Sequence, residues 1–144
     1  VNELGKPYHK EIAGKQTVNF NISHSGEFIL EGFAVGMDIG VDVQKMAGCP
    51  DYREIAGNFY TAEEAEDVIN EGPELFFQYW AAKEAYVKAI GIGLGRGMDF
   101  FSVRNGEITE KGRKGQGWHL YPVKIEGYAA YVAAHKKGDK SNEL

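Results

Sequence analysis

The chain has 144 residues, of which 43% are hydrophobic and 26% charged, and its formal net charge at pH 7 is -5. This composition is typical of a single globular domain, and the longest apolar runs fall short of the roughly 20 residues that span a bilayer. The acidic balance argues against a general nucleic-acid binder, for which a basic surface is the first expectation.

The chain order of the predicted elements begins with strands and continues with helices. Three segments rich in β-branched and aromatic residues predict strands: Thr17 to Ser23, Phe28 to Val35 and Met37 to Val43. Three helices are predicted next, over 51–59, 61–69 and 74–90. Thr61 followed three residues later by Glu64 forms a capping-box pattern at the start of the second helix, and Pro73 stands at the start of the third.

After Gly97 the pattern returns to strands, predicted over 100–104, 107–110, 118–125 and 128–135. Asn105-Gly106 lies between the first two of these runs, and this dipeptide is the strongest short signal for a hairpin turn. The helices are therefore inserted between two groups of strands. This order predicts the α+β class.

The third predicted helix is apolar on both sides and yet carries charges. At about 100° per residue, Glu84 and Lys88 lie in one stripe with Phe77, Trp80 and Val87. A carboxylate and an ammonium on a buried helix are costly unless they are paired, hydrogen-bonded or bound to an ion. If the helix is buried, Glu84 and Lys88 are therefore candidate site residues. The alternative is a partly exposed helix with an ordinary Glu–Lys ion pair four residues apart, worth about 0.2–0.5 kcal/mol.

The predicted strand over 37–45 alternates apolar and polar residues with the period of two that strands show. Asp42 and Gln44 project from its polar face, together with Asp38 and Gly40. Carboxylate and amide oxygens are hard ligands, and Glu84 could supply another if its helix packs over this face. Such a set suits Mg²⁺ bound to phosphates.

Five segments in this order resemble the Sfp-type branch of the 4'-phosphopantetheinyl transferase superfamily: Gly5-Lys6-Pro7-Tyr8, Phe20 to Gly26, Gly40-Val41-Asp42-Val43, Asn58 to Glu64 and Trp80 to Leu94. The resemblance implies an antiparallel sheet with helices packed against it. It also implies an enzyme that moves the phosphopantetheine arm of coenzyme A onto a serine hydroxyl of an apo acyl or peptidyl carrier protein. Adenosine 3',5'-bisphosphate is the expected second product.

The resemblance assigns roles to the charged candidates. It implies that Asp42 and Glu84 bind Mg²⁺, that Glu84 is also the general base, and that Lys88 contacts the phosphates. Gln44 departs from the family pattern, in which a glutamate usually binds the metal at this position. An amide oxygen is still a possible Mg²⁺ ligand, so we expect a reduced dependence on this position and not a loss of activity.

The resemblance also implies a coenzyme A site at the start of the chain. Ser23 and His24 are expected to bind its phosphates, and Lys6 and Pro7 its nucleotide end. From the residues alone, His24 would be an exposed or structural histidine and Lys6 an ordinary surface lysine.

Sfp-type enzymes are pseudo-dimers, and the resemblance matches residues 1–36 to the end of the first half and residues 37–144 to the second half. We expect the missing half to be supplied by another polypeptide or by self-association. A non-catalytic module that binds coenzyme A or a carrier protein is the alternative, motivated by Gln44 and the missing half. No membrane or nucleic-acid partner is expected, and the lone Cys49 without a leader segment predicts a cytoplasmic protein.

Overall fold

Two groups of antiparallel strands and the three helices between them make up the computed structural model, which describes residues 17–136. The strands are β1 (Val18–Ser25), β2 (Phe28–Val35), β3 (Met37–Lys45), β4 (Thr109–Glu110), β5 (Arg113–Lys114), β6 (Trp118–Pro122) and β7 (Tyr128–Lys136). The helices are α1 (Tyr52–Phe59), α2 (Ala62–Glu71) and α3 (Pro73–Ile90). None of these helices is both long and apolar enough to cross a membrane.

The strands divide into a hairpin, a three-stranded sheet and a short ribbon. β1 and β2 pair with each other, β3, β7 and β6 form a sheet in that order, and β4 pairs with β5. All of these pairings are antiparallel. The α+β class predicted from the order of elements is confirmed.

The start of α2 has the geometry that the sequence predicts. The Thr61 hydroxyl accepts a hydrogen bond from the backbone N–H of Glu64 at 3.2 Å, and the Glu64 carboxylate accepts one from the N–H of Thr61 at 3.1 Å. The two contacts form a capping box, which satisfies N–H groups that have no partner inside the helix. Pro73 is the first residue of α3, also as predicted.

The segment 100–110 differs from the prediction. The strand predicted over 100–104 and its two-residue turn are wrong, because Ser102 and Thr109 form an isolated bridge and a short 3-10 turn covers Arg104–Gly106. The reason is a set of tertiary hydrogen bonds. The carbonyl of Phe101 and the N–H of Val103, which a strand ladder would use, bond instead to a buried ion pair.

This ion pair joins Lys83 of α3 to Glu64 of α2, with both side chains fully buried and 2.6 Å between Nζ and Oε1. Lys83 also donates to the carbonyl of Phe101 at 2.5 Å, and the second oxygen of Glu64 accepts from the N–H of Val103 at 2.9 Å. Each charge therefore has several polar partners, as a buried charge requires. The pair fixes α2, α3 and the segment 101–103 relative to one another.

Helix α3 lies directly over β3 at Gly40. A Cβ atom at this glycine would lie 2.0 Å from the carbonyl oxygen of Ala85 and 2.5 Å from the backbone nitrogen of Ala89. Since no side chain tolerates such distances to backbone, only glycine allows this approach. The close packing determines which α3 residues face the polar side of β3.

A methyl group at Gly40 is therefore expected to push α3 away from β3. We expect Gly40→Ala to lower the free energy of unfolding by at least about 2 kcal/mol, as overpacking does, and to disturb the site described below. Gly57→Ala is the matched control, because a Cβ at this α1 position meets open space. It is expected to stabilise the protein by about 0.5–1 kcal/mol. Urea unfolding measures both, and equal stabilities would contradict the packing.

Candidate active site

Alternate side chains of β1 bond to the backbone of β3 at the edge that does not face β7. The contacts are Asn19 with the carbonyl of Met37 at 2.6 Å, Asn21 with the N–H of Val41 at 2.8 Å, Ser23 with the N–H of Val43 at 3.1 Å and Ser25 with the N–H of Lys45 at 2.9 Å. These side chains replace the backbone of a neighbouring strand. They form hydrogen bonds with N–H and C=O groups at the edge of β3, which would otherwise need water or another strand as a partner. They hold the β1–β2 hairpin against β3.

The Asp42 carboxylate is held at both oxygens. Ser23 donates its hydroxyl hydrogen to Oδ1 at 3.2 Å, and the Gln44 amide donates to Oδ2 at 2.9 Å. Only 5% of Asp42 is exposed, and burial raises the pKa of its carboxyl to about 7. The contact with Gln44 and the charge of Lys88 oppose this rise, whereas the charge of Glu84 adds to it.

Glu84 and Lys88 of α3 act electrostatically on this carboxylate. Burial raises the pKa of Glu84, and the Lys88 charge opposes that rise. Burial lowers the pKa of Lys88, and the charges of Asp42 and Glu84 oppose that change. The Lys88 ammonium donates to the carbonyls of Ile22 at 2.9 Å and Val41 at 2.7 Å, so it joins β1, β3 and α3. Asp42, Glu84 and Lys88 therefore share one electrostatic site.

Not every candidate from the sequence lies in this site. Asp42, Gln44, Glu84, Lys88 and Ser23 come together. His24 follows Ser23 on β1 and is exposed opposite Ile29, on the face that turns away from β3. Lys6 and Pro7 lie outside the described residues. The roles that the resemblance gives to all of these residues stay predictions.

The contacts that two site residues, Ser23 and Lys88, make within the protein were not foreseen from the sequence. Ser23 was expected to meet a phosphate, but its hydroxyl bonds to Asp42 and to the N–H of Val43. Lys88 was also expected to meet phosphates, and its two contacts with backbone carbonyls were not foreseen. The alternation of polar side chains along β1, at Asn19, Asn21, Ser23 and Ser25, is the signal that could have indicated a strand with a bonded polar face.

The oxygen atoms of the site can be compared with the ligands that Mg²⁺ prefers. Within residues 17–136 no group of three or more carboxylate, histidine or cysteine side chains is placed to hold a metal ion. The site instead combines the carboxylates of Asp42 and Glu84 with the amide of Gln44. Mg²⁺ commonly uses one or two carboxylates and completes its shell with phosphates and waters. The charge of Glu84 adds to the cost of ionising the buried Asp42, and a divalent cation would offset that cost. The residues fit Mg²⁺.

Comparison with known proteins gives the family. The profile of the 4'-phosphopantetheinyl transferase superfamily matches residues 38–134, which include most of β3, all three helices and most of β7. The chain belongs to this superfamily. Within it, the chain is 35% identical over 108 residues to the 4'-phosphopantetheinyl transferase Sfp of Bacillus subtilis, a match that covers 72% of this chain and 46% of Sfp. The resemblance to the Sfp-type branch is thereby confirmed.

Other members of the superfamily match over similar spans. A second 4'-phosphopantetheinyl transferase from Bacillus subtilis is 37% identical over 108 residues, covering 72% of this chain and 46% of the relative. The human L-aminoadipate-semialdehyde dehydrogenase-phosphopantetheinyl transferase is 32% identical over 146 aligned residues, covering 85% of this chain and 47% of the relative. The chain thus spans about half the length of these phosphopantetheinyl transferases.

The raised pKa of Asp42 predicts how stability depends on pH. The ordinary pKa of this carboxyl is 3.8 and the folded value is about 7, so between them the folded state holds a proton that the unfolded state releases. Without metal, stability is therefore expected to fall as the pH rises from about 4 to about 7. We expect Asp42→Asn to remove this dependence and to raise the free energy of unfolding at pH 8 by on the order of 4 kcal/mol.

Urea unfolding between pH 5 and pH 8, with a chelator present, measures this effect. Asp51→Asn is the matched control, because Asp51 is exposed and its loss is expected to change stability by no more than about 0.5 kcal/mol. If the free energy of unfolding depends on pH in the same way in the wild type and in Asp42→Asn, then burial of the Asp42 carboxylate does not destabilise the folded protein.

Proposed function

We propose that the whole protein transfers the 4'-phosphopantetheine arm of coenzyme A to a serine hydroxyl of an apo acyl or peptidyl carrier protein. The observation that supports this is the convergence of Asp42, Glu84 and Lys88 from β3 and α3 into one electrostatic site. Asp42, Glu84 and Gln44 would hold Mg²⁺. When bound, the ion supplies positive charge beside the pyrophosphate of coenzyme A.

Glu84 has the properties of a general base for this transfer. Its carboxylate is half-buried, and burial raises its pKa above the ordinary value of a glutamate, which makes it a better proton acceptor. In the proposed step Glu84 takes the proton of the carrier serine while the serine oxygen attacks the β-phosphorus of coenzyme A. The bond between that phosphorus and the bridging oxygen breaks, and adenosine 3',5'-bisphosphate leaves with the electron pair.

Lys88 is proposed to stabilise the charge that this bond cleavage releases. Its ammonium has three N–H donors, and the carbonyls of Ile22 and Val41 use two of them. The third can meet a phosphate oxygen while the other two hold the side chain in position. A cation fixed before the reaction needs no reorganisation when the charge develops.

A separate cleft of about 560 Å³ has a lining that includes Met46, Cys49, Tyr52 and Phe77. Phe77 precedes Glu84 by two helical turns on the same stripe of α3, or about 10 Å at 1.5 Å per residue. Met46 follows Gln44 by two residues at the end of β3. We propose this cleft, which begins about 10 Å from Glu84 along α3, as the approach of the pantetheine arm or the carrier protein.

Mass spectrometry of an apo carrier protein tests the proposal. The carrier is incubated with this chain, coenzyme A and Mg²⁺, and phosphopantetheine addition is expected as a mass increase that needs the metal. Glu84→Gln serves as the slowed control. Absence of the adduct at high protein concentration, together with coenzyme A binding that is indifferent to Mg²⁺, would favour the alternative of a non-catalytic binding module. A cytoplasmic location is part of the same proposal.

A further inference from the structure

Ser23 contacts both the carboxylate of Asp42 and the backbone beside it. Its hydroxyl donates to Oδ1 of Asp42 at 3.2 Å and accepts a hydrogen bond from the N–H of Val43 at 3.1 Å. Both residues are buried, with 8% of Ser23 and 5% of Asp42 exposed. Since an ionised carboxylate can only accept, the serine supplies the hydrogen of the first bond. The contact therefore joins β1 to Asp42 away from solvent.

The backbone of β3 is held on each side of Asp42. The side chain of Asn21 accepts from the N–H of Val41 at 2.8 Å, and the hydroxyl of Ser23 accepts from the N–H of Val43. Because buried backbone groups need such partners, these two bonds fix where β1 lies relative to Asp42. They leave undetermined the rotation of the Asp42 carboxylate about its own side-chain bonds.

The carboxylate of Asp42 is oriented by one hydrogen bond at each oxygen. Ser23 bonds to Oδ1, and the amide of Gln44 donates to Oδ2 at 2.9 Å. A carboxylate offers about four lone-pair sites, so these two bonds leave the remaining sites to a cation. Gln44 lies on the same strand as Asp42 and moves with it. Ser23 lies on β1, and it therefore ties the orientation of the carboxylate to a second element.

The single hydrogen of the Ser23 hydroxyl limits what else this residue can bind. A serine hydroxyl donates one hydrogen, and here Asp42 receives it. An ionised phosphate oxygen has no hydrogen to offer, so it needs a donor from the protein. A phosphate could bond to this hydroxyl only by taking the hydrogen from Asp42. The phosphate contact expected from the resemblance therefore competes with the contact that the structure contains.

We propose that Ser23 is a positioning residue, whose hydroxyl orients Asp42 for a divalent cation in place of binding a phosphate of coenzyme A. The inference rests on the proposed Mg²⁺ site and adds a residue that acts through Asp42. Groups that orient a metal ligand usually change metal affinity by about 10–100-fold when they are replaced. Ser23→Ala is therefore expected to raise the Mg²⁺ concentration needed for half-maximal binding by this factor.

Thermal unfolding during a titration with Mg²⁺ alone at pH 8 measures this affinity. Ser25→Ala is the matched control, because Ser25 is the next residue on the same face of β1 and its hydroxyl accepts from the N–H of Lys45 at 2.9 Å. The control removes the same kind of contact between β1 and β3 but leaves Ser23 and Asp42 in place. It should keep the half-maximal Mg²⁺ concentration of the wild type. A cooperative transition of each variant without metal verifies that it is folded.

A Ser23→Ala protein with the Mg²⁺ affinity of the wild type would overturn the inference. If that protein also bound coenzyme A more weakly in the presence of a chelator, Ser23 would be assigned to the phosphates. An equal loss of Mg²⁺ affinity in Ser23→Ala and Ser25→Ala would overturn it as well, because the attachment of the whole hairpin would then be the cause. A wild type without any Mg²⁺ response would contradict the metal site of the proposed function and this inference with it, whereas the other outcomes leave that function standing.

Discussion

Replacing Glu84 with glutamine is expected to slow phosphopantetheine transfer by about 10²–10⁴-fold, the usual contribution of a general base. Glutamine keeps the shape of the side chain but cannot take the serine proton, and its amide is a weaker ligand for a cation. The fold should be unaffected, because burial raises the pKa of Glu84 and so makes its charge a cost to the folded state. The rate is measured by a mass-spectrometric time course with saturating coenzyme A.

Glu66→Gln provides the control for this rate measurement. Glu66 is an exposed residue of α2, so the same chemical change there is expected to leave the rate unaltered. A Glu84→Gln enzyme that transfers at the rate of the Glu66→Gln enzyme would show that Glu84 neither takes the proton nor binds the metal.

The largest effect on stability is expected from Lys83→Ala, which should lower the free energy of unfolding by about 3–5 kcal/mol. The substitution leaves the Glu64 carboxylate fully buried without its cation and removes a donor from the carbonyl of Phe101. It also takes the ammonium from above the Phe101 ring, 4.2 Å from its centroid. Urea unfolding measures the loss. Lys124→Ala, at an exposed position, is the control and should change stability by no more than about 0.5 kcal/mol.

A double-mutant cycle separates the ion pair from the packing of the lysine stem. We expect Lys83→Met combined with Glu64→Gln to be less destabilising than the sum of the two single changes, because the double variant leaves no uncompensated charge. Strictly additive effects would show that the two charges do not interact.

The site residues of β3 and α3 could be predicted because the sequence patterns that indicate them are short. Asp42 stands on the polar face of an alternating strand, and Glu84 and Lys88 share one stripe of a helix that is apolar all round. Gly40 lies on the same face as Asp42, and the absence of a side chain there lets the helix approach. Each of these features can be recognised within a few residues of sequence.

The features that the sequence did not reveal depend on distant contacts. Lys83 precedes Glu84 on a helix with no polar side, so periodicity could not tell which of the two points into the core. Its partner, Glu64, was recognised only as a helix cap. The segment 100–110 was predicted incorrectly for the same reason, since the Lys83–Glu64 pair takes backbone groups from Phe101 and Val103.

The central claim, that Asp42 and Glu84 hold one divalent cation, is tested most directly by thermal unfolding during a Mg²⁺ titration at pH 8. The wild-type unfolding temperature should rise with Mg²⁺, and the rise should vanish at pH 5, where Asp42 is protonated. Asp42→Asn and Glu84→Gln should each abolish the rise. A Mg²⁺ response that is absent from the wild type, or equal in all three proteins, would contradict the account.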